Sequence, residues 1–237
     1  MSSVRPPERA RSAEIAHGKP RIVFFDLDHT LLHGDSDVLW CAFLIDKGVL
    51  ERAEFERRNA DIEARYNAGR VEAAEFANFY LSTLAGRTPA HWAALRLEFL
   101  RTQILPNVPQ AARDLVRRRQ EAGDTVVMTT ATSRFLAELT AQNLGFEHLI
   151  ATEPELLDGV FTGFATGVLN MRAGKVTRLH DWLAARGEQL AEFDSTAYSD
   201  SLNDLPLLEA VNHPVTVNAD AKLAAIAAGR GWDCLLL

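Results

Sequence analysis

Two aspartates one residue apart, Asp26 and Asp28, follow directly on the apolar run Ile22-Val23-Phe24-Phe25 in the segment FFDLDHT. If the extended chain continues through them, their side chains share one face, and two neighbouring carboxylates strongly disfavour joint ionisation. A cation relieves that repulsion, whereas an Asp-x-Asp standing alone also suits a capped, polar strand end. Three later positions bear on the choice. Thr130, in MTTATS after Val126-Val127-Met128, sets a hydroxyl where a strand hands over to a helix. That suits a phosphate oxygen or ordinary N-capping, and Thr129 and Thr132 offer the same group on either side. Lys175 puts a cation early in a helix, against the helix dipole, where capping gives it no reason to be. Asp200 and Asp204, with Asn203 between them, flank a strand-to-helix turn in SDSLNDLP, where Asp204 alone would also serve as a cap. An acidic site, a hydroxyl and a cation together suit phosphoryl transfer. Magnesium takes oxygen ligands from one or two carboxylates and keeps room for water and phosphate. A carboxylate can attack phosphorus while lysine and metal stabilise charge on the equatorial oxygens.

These residues need elements that bring them together. RIVFF, apolar on both faces, fits a central parallel strand covered by helices on both sides. From Val38 to Gln103 the pattern is helical throughout, with breaks expected at glycines 48, 69 and 86, which makes residues 36–104 an all-helical insertion after the first strand. Strands and helices then alternate: QAARDLVRRRQEAG a helix, TVVMTTAT a strand, SRFLAELTAQNLG a helix, HLIATEPEL a strand. Two short extended segments around Gly159, Gly163 and Gly167 suggest a hairpin excursion. KVTRLHDWLAARG, STAYSDS, NDLPLLEAV, PVTVN, a helix opened by Asp220 and WDCLLL complete the series. The expected fold is α/β, a doubly wound parallel sheet with ligands at the carboxyl ends of strands. The catalytic core is assigned to 20–35 and 105–237, with 1–19 a mobile tail.

Composition excludes several functions. The chain has 237 residues, a net charge of −7 and a pI near 5.5, which gives no footprint for nucleic acid, and Arg117-Arg118-Arg119 read as a solvated helix face. No apolar stretch is long enough to span a membrane and no secretory leader is visible, so a cytoplasmic protein is expected. Cys41 and Cys234 lack Cys-x-x-Cys spacing and read as small buried hydrophobes.

FDLDHT, the strand carrying Thr130, Lys175 and SDSLNDLP resemble, in order, the four motifs of the haloacid dehalogenase-like hydrolase superfamily over residues 22 to about 218. The helical insertion and the 159–169 hairpin resemble the cap and extra β segment of its phosphoserine phosphatase-like branch. The resemblance implies a magnesium-dependent phosphomonoesterase acting on a small phosphorylated metabolite through an aspartyl phosphate. Asp26 is then the nucleophile and Asp28 the general acid and base. Asp26, the Asp28 carbonyl and Asp200 hold magnesium, Thr130 and Lys175 hold phosphate, and Asn203 and Asp204 support the metal shell, Asp204 through water. His29 departs from the Gly or Ser often found at its position. In the same branch an acidic residue nine positions after the nucleophile recognises the substrate amine, here Asp35, and a cap arginine holds the carboxylate, here replaced by Asn78 on a loose alignment counted from Gly69. That pattern favours a phosphorylated amino alcohol such as histidinol phosphate; phosphoserine is the alternative if Arg65 or Arg70 supplies the cation, and Asp35 also suits a loop cap. A receiver-type signalling domain, the non-enzyme alternative, has its acceptor aspartate later in the chain and no helical block after its first strand.

Overall fold

The computed structural model describes residues 18–67 and 72–237. Most of the expected 1–19 tail, and the cap positions Gly69 and Arg70, lie outside the described residues. Among these, seven strands form one sheet in the order β4-β3-β2-β1-β5-β6-β7. They are β1 (Arg21–Phe25), β2 (Thr125–Ser133), β3 (His148–Leu157), β4 (Val160–Thr166), β5 (Asp194–Ser199), β6 (His213–Val217) and β7 (Asp233–Leu235). All neighbours pair parallel except β3 and β4.

The central strand shows why the sheet is covered twice. Ile22 and Phe24 join the apolar cluster of α7 (Ala173–Ala184), α8 (Leu205–Ala210) and α9 (Ala221–Arg230), whereas Val23 and Phe25 join that of α5 (Gln110–Glu121) and α6 (Arg134–Asn143). Successive side chains leave opposite faces of a strand, so an unbroken apolar run requires a layer on each side. The two expected segments of the hairpin excursion are instead the far end of β3 and all of β4. They turn at Asp158 and Gly159, both at positive φ (52° and 78°), the backbone that tight hairpins require.

The insertion contains α1 (Ser36–Asp46), α2 (Arg52–Asn67), α3 (Ala73–Leu81) and α4 (Pro89–Phe99). It is not a separate body along its whole length. Trp40 of α1 is buried with its ring 5.8 Å from Trp92, 5.1 Å from Phe99 and 6.4 Å from Phe135 of α6, so α1 and α4 share the core's apolar cluster. Ile62 of α2 and Phe79 and Tyr80 of α3 form a smaller cluster of their own with Cys41. α3 is tied to β4: Asn78 Oδ1 accepts the Ala165 N–H at 2.9 Å. Gly163 sits at φ +91°, where an added Cβ would meet Ala85 Cβ at 3.0 Å, so glycine is what lets the hairpin and the cap approach. Of the two free cysteines Cys41 is buried as expected, but Cys234 is exposed because β7 is an edge strand. Arg119 is likewise no solvated face residue: its guanidinium donates to the Tyr198 hydroxyl at 2.6 Å, clamping α5 to β5.

Candidate active site

β1 ends at Phe25, so Asp26 and Asp28 do not share a pleat; the chain leaves the ladder between them. Asp26 still donates its backbone N–H to the Tyr198 carbonyl at 3.0 Å, and Asp28 follows in a turn. That turn passes through His29 at φ +55°, with its N–H bonded to Gly34 O at 3.0 Å. The left-handed backbone there explains why a glycine would suit the position and what His29 must tolerate.

Asp26 is buried between a cation and a hydroxyl. Lys175 Nζ donates to its Oδ1 at 2.7 Å and to Asp204 Oδ2 at 2.5 Å, and Ser199 Oγ also donates to that Asp204 oxygen. Asp204 makes no side-chain cap bond to α8, so the helix-cap alternative for it does not hold, and its contact with Lys175 is direct. On the other side Thr30 Oγ1 lies 3.4 Å from Asp26 Oδ2 and 2.9 Å from Asp200 Oδ1, and it accepts the Asp200 N–H. Burial, set against the Lys175 charge and reinforced by repulsion from Asp204, Asp200 and Asp28, pushes the Asp26 carboxyl well above the ordinary range. Burial alone would lower the Lys175 ammonium, but Asp204 and Asp26 hold it above its usual value. Burial also raises Asp200, against the Thr30 hydrogen bond.

Asp28 points the other way. Its Oδ1 accepts from Ser36 N–H (2.8 Å) and Oγ (2.5 Å), and its Oδ2 from Thr132 Oγ1 (2.6 Å), with Thr130 Oγ1 at 3.5 Å. Burial and then Asp35 lift its pKa to about 6, partly opposed by the Ser36 and Thr132 hydrogen bonds. Thr130 lies inside β2 rather than at its end, fully buried; its Oγ1 accepts the Thr132 N–H at 3.2 Å. Of the three candidate threonines, Thr132 makes the short contact to the acid.

The remaining expected residues are divided. Asn203 reaches the catalytic cavity, where its Oδ1 accepts from Arg172 Nε at 3.2 Å. Asp35 also lines that cavity, of about 250 Å³, together with Asp26, Asp28, Lys175, Asp200 and Asp204, while its Oδ1 caps α1 by accepting the Asp37 and Val38 N–H groups. Asp35 is thus both a cap and a wall of the site. Asn78 and Arg65 are elsewhere: they line a separate cavity of about 480 Å³ between α2 and α3, and Arg65 pairs there with Asp61 and Glu75.

Sequence reasoning missed Thr30, Ser36 and Asn170. Buried Asn170 sends Nδ2 to Thr129 Oγ1 (3.0 Å), Thr130 O (2.9 Å) and Ile150 O (3.0 Å), and its own N–H to Thr152 Oγ1 (3.2 Å). It fills the place where the β2–β3 register shifts between Thr130 and Ser133. The loop it anchors leads into α7 and Lys175, with Gly174 so close to Leu169 O that a Cβ would lie 2.2 Å away. One amide therefore ties the strand of the hydroxyls to the helix of the lysine. An asparagine in a turn carries no sequence signal of such a role.

Five carboxylates, Asp26, Asp28, Asp35, Asp200 and Asp204, line this cavity with the ammonium of Lys175. The donors are all oxygen, and their mutual repulsion is what a divalent cation would relieve. Among the described residues no three His, Cys, Asp or Glu side chains converge on a cation position.

The model of the haloacid dehalogenase-like hydrolases matches residues 23–209. A histidinol-phosphatase of Neisseria meningitidis serogroup C (strain 8013) is 38% identical over 90% of this chain and 97% of its own, and the phosphoserine phosphatase SerB1 of Mycobacterium tuberculosis is 32% identical over 89% and 68%. The crystal structure of a Bordetella pertussis Tohama I protein of unknown function superposes with a TM-score of 0.89 at 44% identity, covering 92% of this chain and 99% of that one. A substrate-bound phosphoserine phosphatase superposes at 0.64, over 93% and 94%, with 16% identity, a likeness of fold alone. The chain belongs to the haloacid dehalogenase-like hydrolases. Within that family it is a phosphatase, a hydrolase of phosphate monoesters.

Proposed function

We propose that the chain hydrolyses a small phosphorylated amino alcohol through a phosphoryl group carried on Asp26. The observation that carries this reading is the placement of the Asp26 carboxylate at the end of β1 between Lys175 and the Thr30–Asp200 pair, with Asp28 held apart by its own donors. An oxygen of Asp26 attacks phosphorus and the ester oxygen leaves, taking a proton from Asp28. Asp28 then removes a proton from water as that water attacks the aspartyl phosphate, releasing phosphate and freeing Asp26. A carboxyl with a pKa of about 6 is suited to both transfers near neutral pH. Lys175 and Thr130 hold the phosphoryl oxygens, Asp204 orients Lys175, and Asn203 borders the same shell. Asp26, the Asp28 carbonyl and Asp200 would hold Mg2+, which when bound offsets the charge of the transferring group.

The substrate reading rests on Asp35, a carboxylate in the cavity wall beside Asp28, which suits a substrate ammonium. The Neisseria relative's name agrees with histidinol phosphate; phosphoserine is the second reading, supported by the SerB1 relative. No helix of the described residues is long and apolar enough to cross a membrane; a cytoplasmic location is part of the proposal. Released phosphate from a panel of phosphate monoesters, with magnesium and after chelation, tests the reading. Magnesium-dependent turnover highest on histidinol phosphate is expected, and turnover untouched by chelation overturns the metal assignment.

A further inference from the structure

Between residues 36 and 104, the described residue that reaches the catalytic cavity is Phe76 of α3. Its ring is set against Tyr80, centroids 5.3 Å apart and 70° between planes, and α3 is fixed to β4 through Asn78. The wall facing it is acidic, with Asp28, Asp35 and Asp200. Of the described cap arginines, Arg65 pairs with Asp61 and Glu75, and Arg58 lies over the Phe79 ring at 5.4 Å.

We infer that Phe76 selects the leaving alcohol, offering its ring face to a flat, positively chargeable group such as an imidazole while the acidic wall takes the ammonium. This rests on the amino-alcohol phosphatase reading above. The face of a benzene ring is the negative pole of its quadrupole, so it attracts a cation and stacks on a planar ring. A substrate carboxylate would meet that same face on one side and the carboxylates of Asp28, Asp35 and Asp200 on the other. Selection therefore works by rejection as well as by attraction.

Steady-state kinetics of the full chain with magnesium tests this on histidinol phosphate, phosphoserine and phosphoethanolamine, the last having an amine but neither ring nor carboxylate. Phe76→Leu keeps apolar bulk and removes the π face; Phe76→Tyr keeps the face. For Phe76→Leu the expected loss of kcat/KM is about tenfold on histidinol phosphate, mostly in KM, and no more than about threefold on phosphoethanolamine. Phe76→Tyr retains the wild-type preference. Equal losses on all three esters, or a Tyr variant as damaged as the Leu variant, overturn the inference, and thermal midpoints of both variants show whether a loss is one of folding. A wild-type enzyme that prefers phosphoserine defeats the amino-alcohol reading and the inference with it. A wild-type preference for histidinol phosphate that survives Phe76→Leu defeats only the role of Phe76.

Discussion

The floor and the roof of the catalytic cavity are built to different standards. On the floor, each of Asp26, Asp28, Asp200 and Asp204 accepts at least one hydrogen bond from a side chain of another segment, and Lys175 is buried among them. Among the described residues the roof brings one aromatic ring, that of Phe76. Interactions in a dry, low-dielectric pocket are strong when complete and costly when one partner is missing, so the chemistry tolerates little change. A single apolar contact can be exchanged without disturbing its neighbours. Reaction type thus resides in a network, and the substrate choice proposed above would rest on a few replaceable contacts.

Substitutions on each side test that contrast. Asp26→Asn removes the nucleophilic charge and should lower turnover by roughly 10⁴-fold or more. The melting temperature should stay near wild type or rise, since Asp204 still pairs Lys175 and one repelling carboxylate is gone. Near-normal phosphate release would end the covalent mechanism. Asp28→Asn should cost roughly 10²- to 10⁴-fold, more on alkyl than on aryl phosphates because poor leaving groups need the proton. Equal losses on both ester types would remove the acid role.

Smaller effects separate support from contact. Asn170→Ala takes the donor from Thr129, Thr130 and Ile150, and should cost about 1–3 kcal/mol of stability in denaturant unfolding. If the amide positions the site, kcat should fall about tenfold with KM little changed. A stability loss with full kcat would make Asn170 merely structural. Asp35→Asn keeps an acceptor for the start of α1 while deleting the charge, so stability should move by less than about 1 kcal/mol. Its kcat/KM should drop a few-fold on amine-bearing esters and hardly on an amine-free one. An equal response to both would leave Asp35 as a cap only.

What could be read in advance follows the same division. The apolar run of β1, the helix–strand alternation and the order of Asp26, Asp28, Lys175, Asp200 and Asp204 were legible because each is a local pattern or an ionisable type at an element boundary. The exit from the ladder before Asp28 was not, since nothing in the sequence marks the hydrogen bond from Asp26 to Tyr198 as its last. Nor was the choice of Thr132 over Thr130 as the short contact to Asp28, which depends on a register shift set by β3 and Asn170. In the cap, side-chain direction decided the outcome: Phe76 and Asn78 are two residues apart on α3, yet Phe76 meets the active site and Asn78 the hairpin.

The central position of β1 also fixes when the enzyme comes into being. Ile22 pairs with Thr125 and Arg21 with Asp194, so the strand translated first among the seven waits for partners made far downstream. At ribosomal speeds of about 5–20 residues per second, roughly ten to thirty seconds separate the appearance of β1 from that of β5. Until β2 emerges about a hundred residues after β1, the apolar faces of β1 have no sheet to join, a state that favours aggregation or chaperone capture, while helices of the insertion can form from local contacts. Asp26 acquires the Tyr198 carbonyl, Lys175 and Asp200 only near the end, so activity arrives in a single late step.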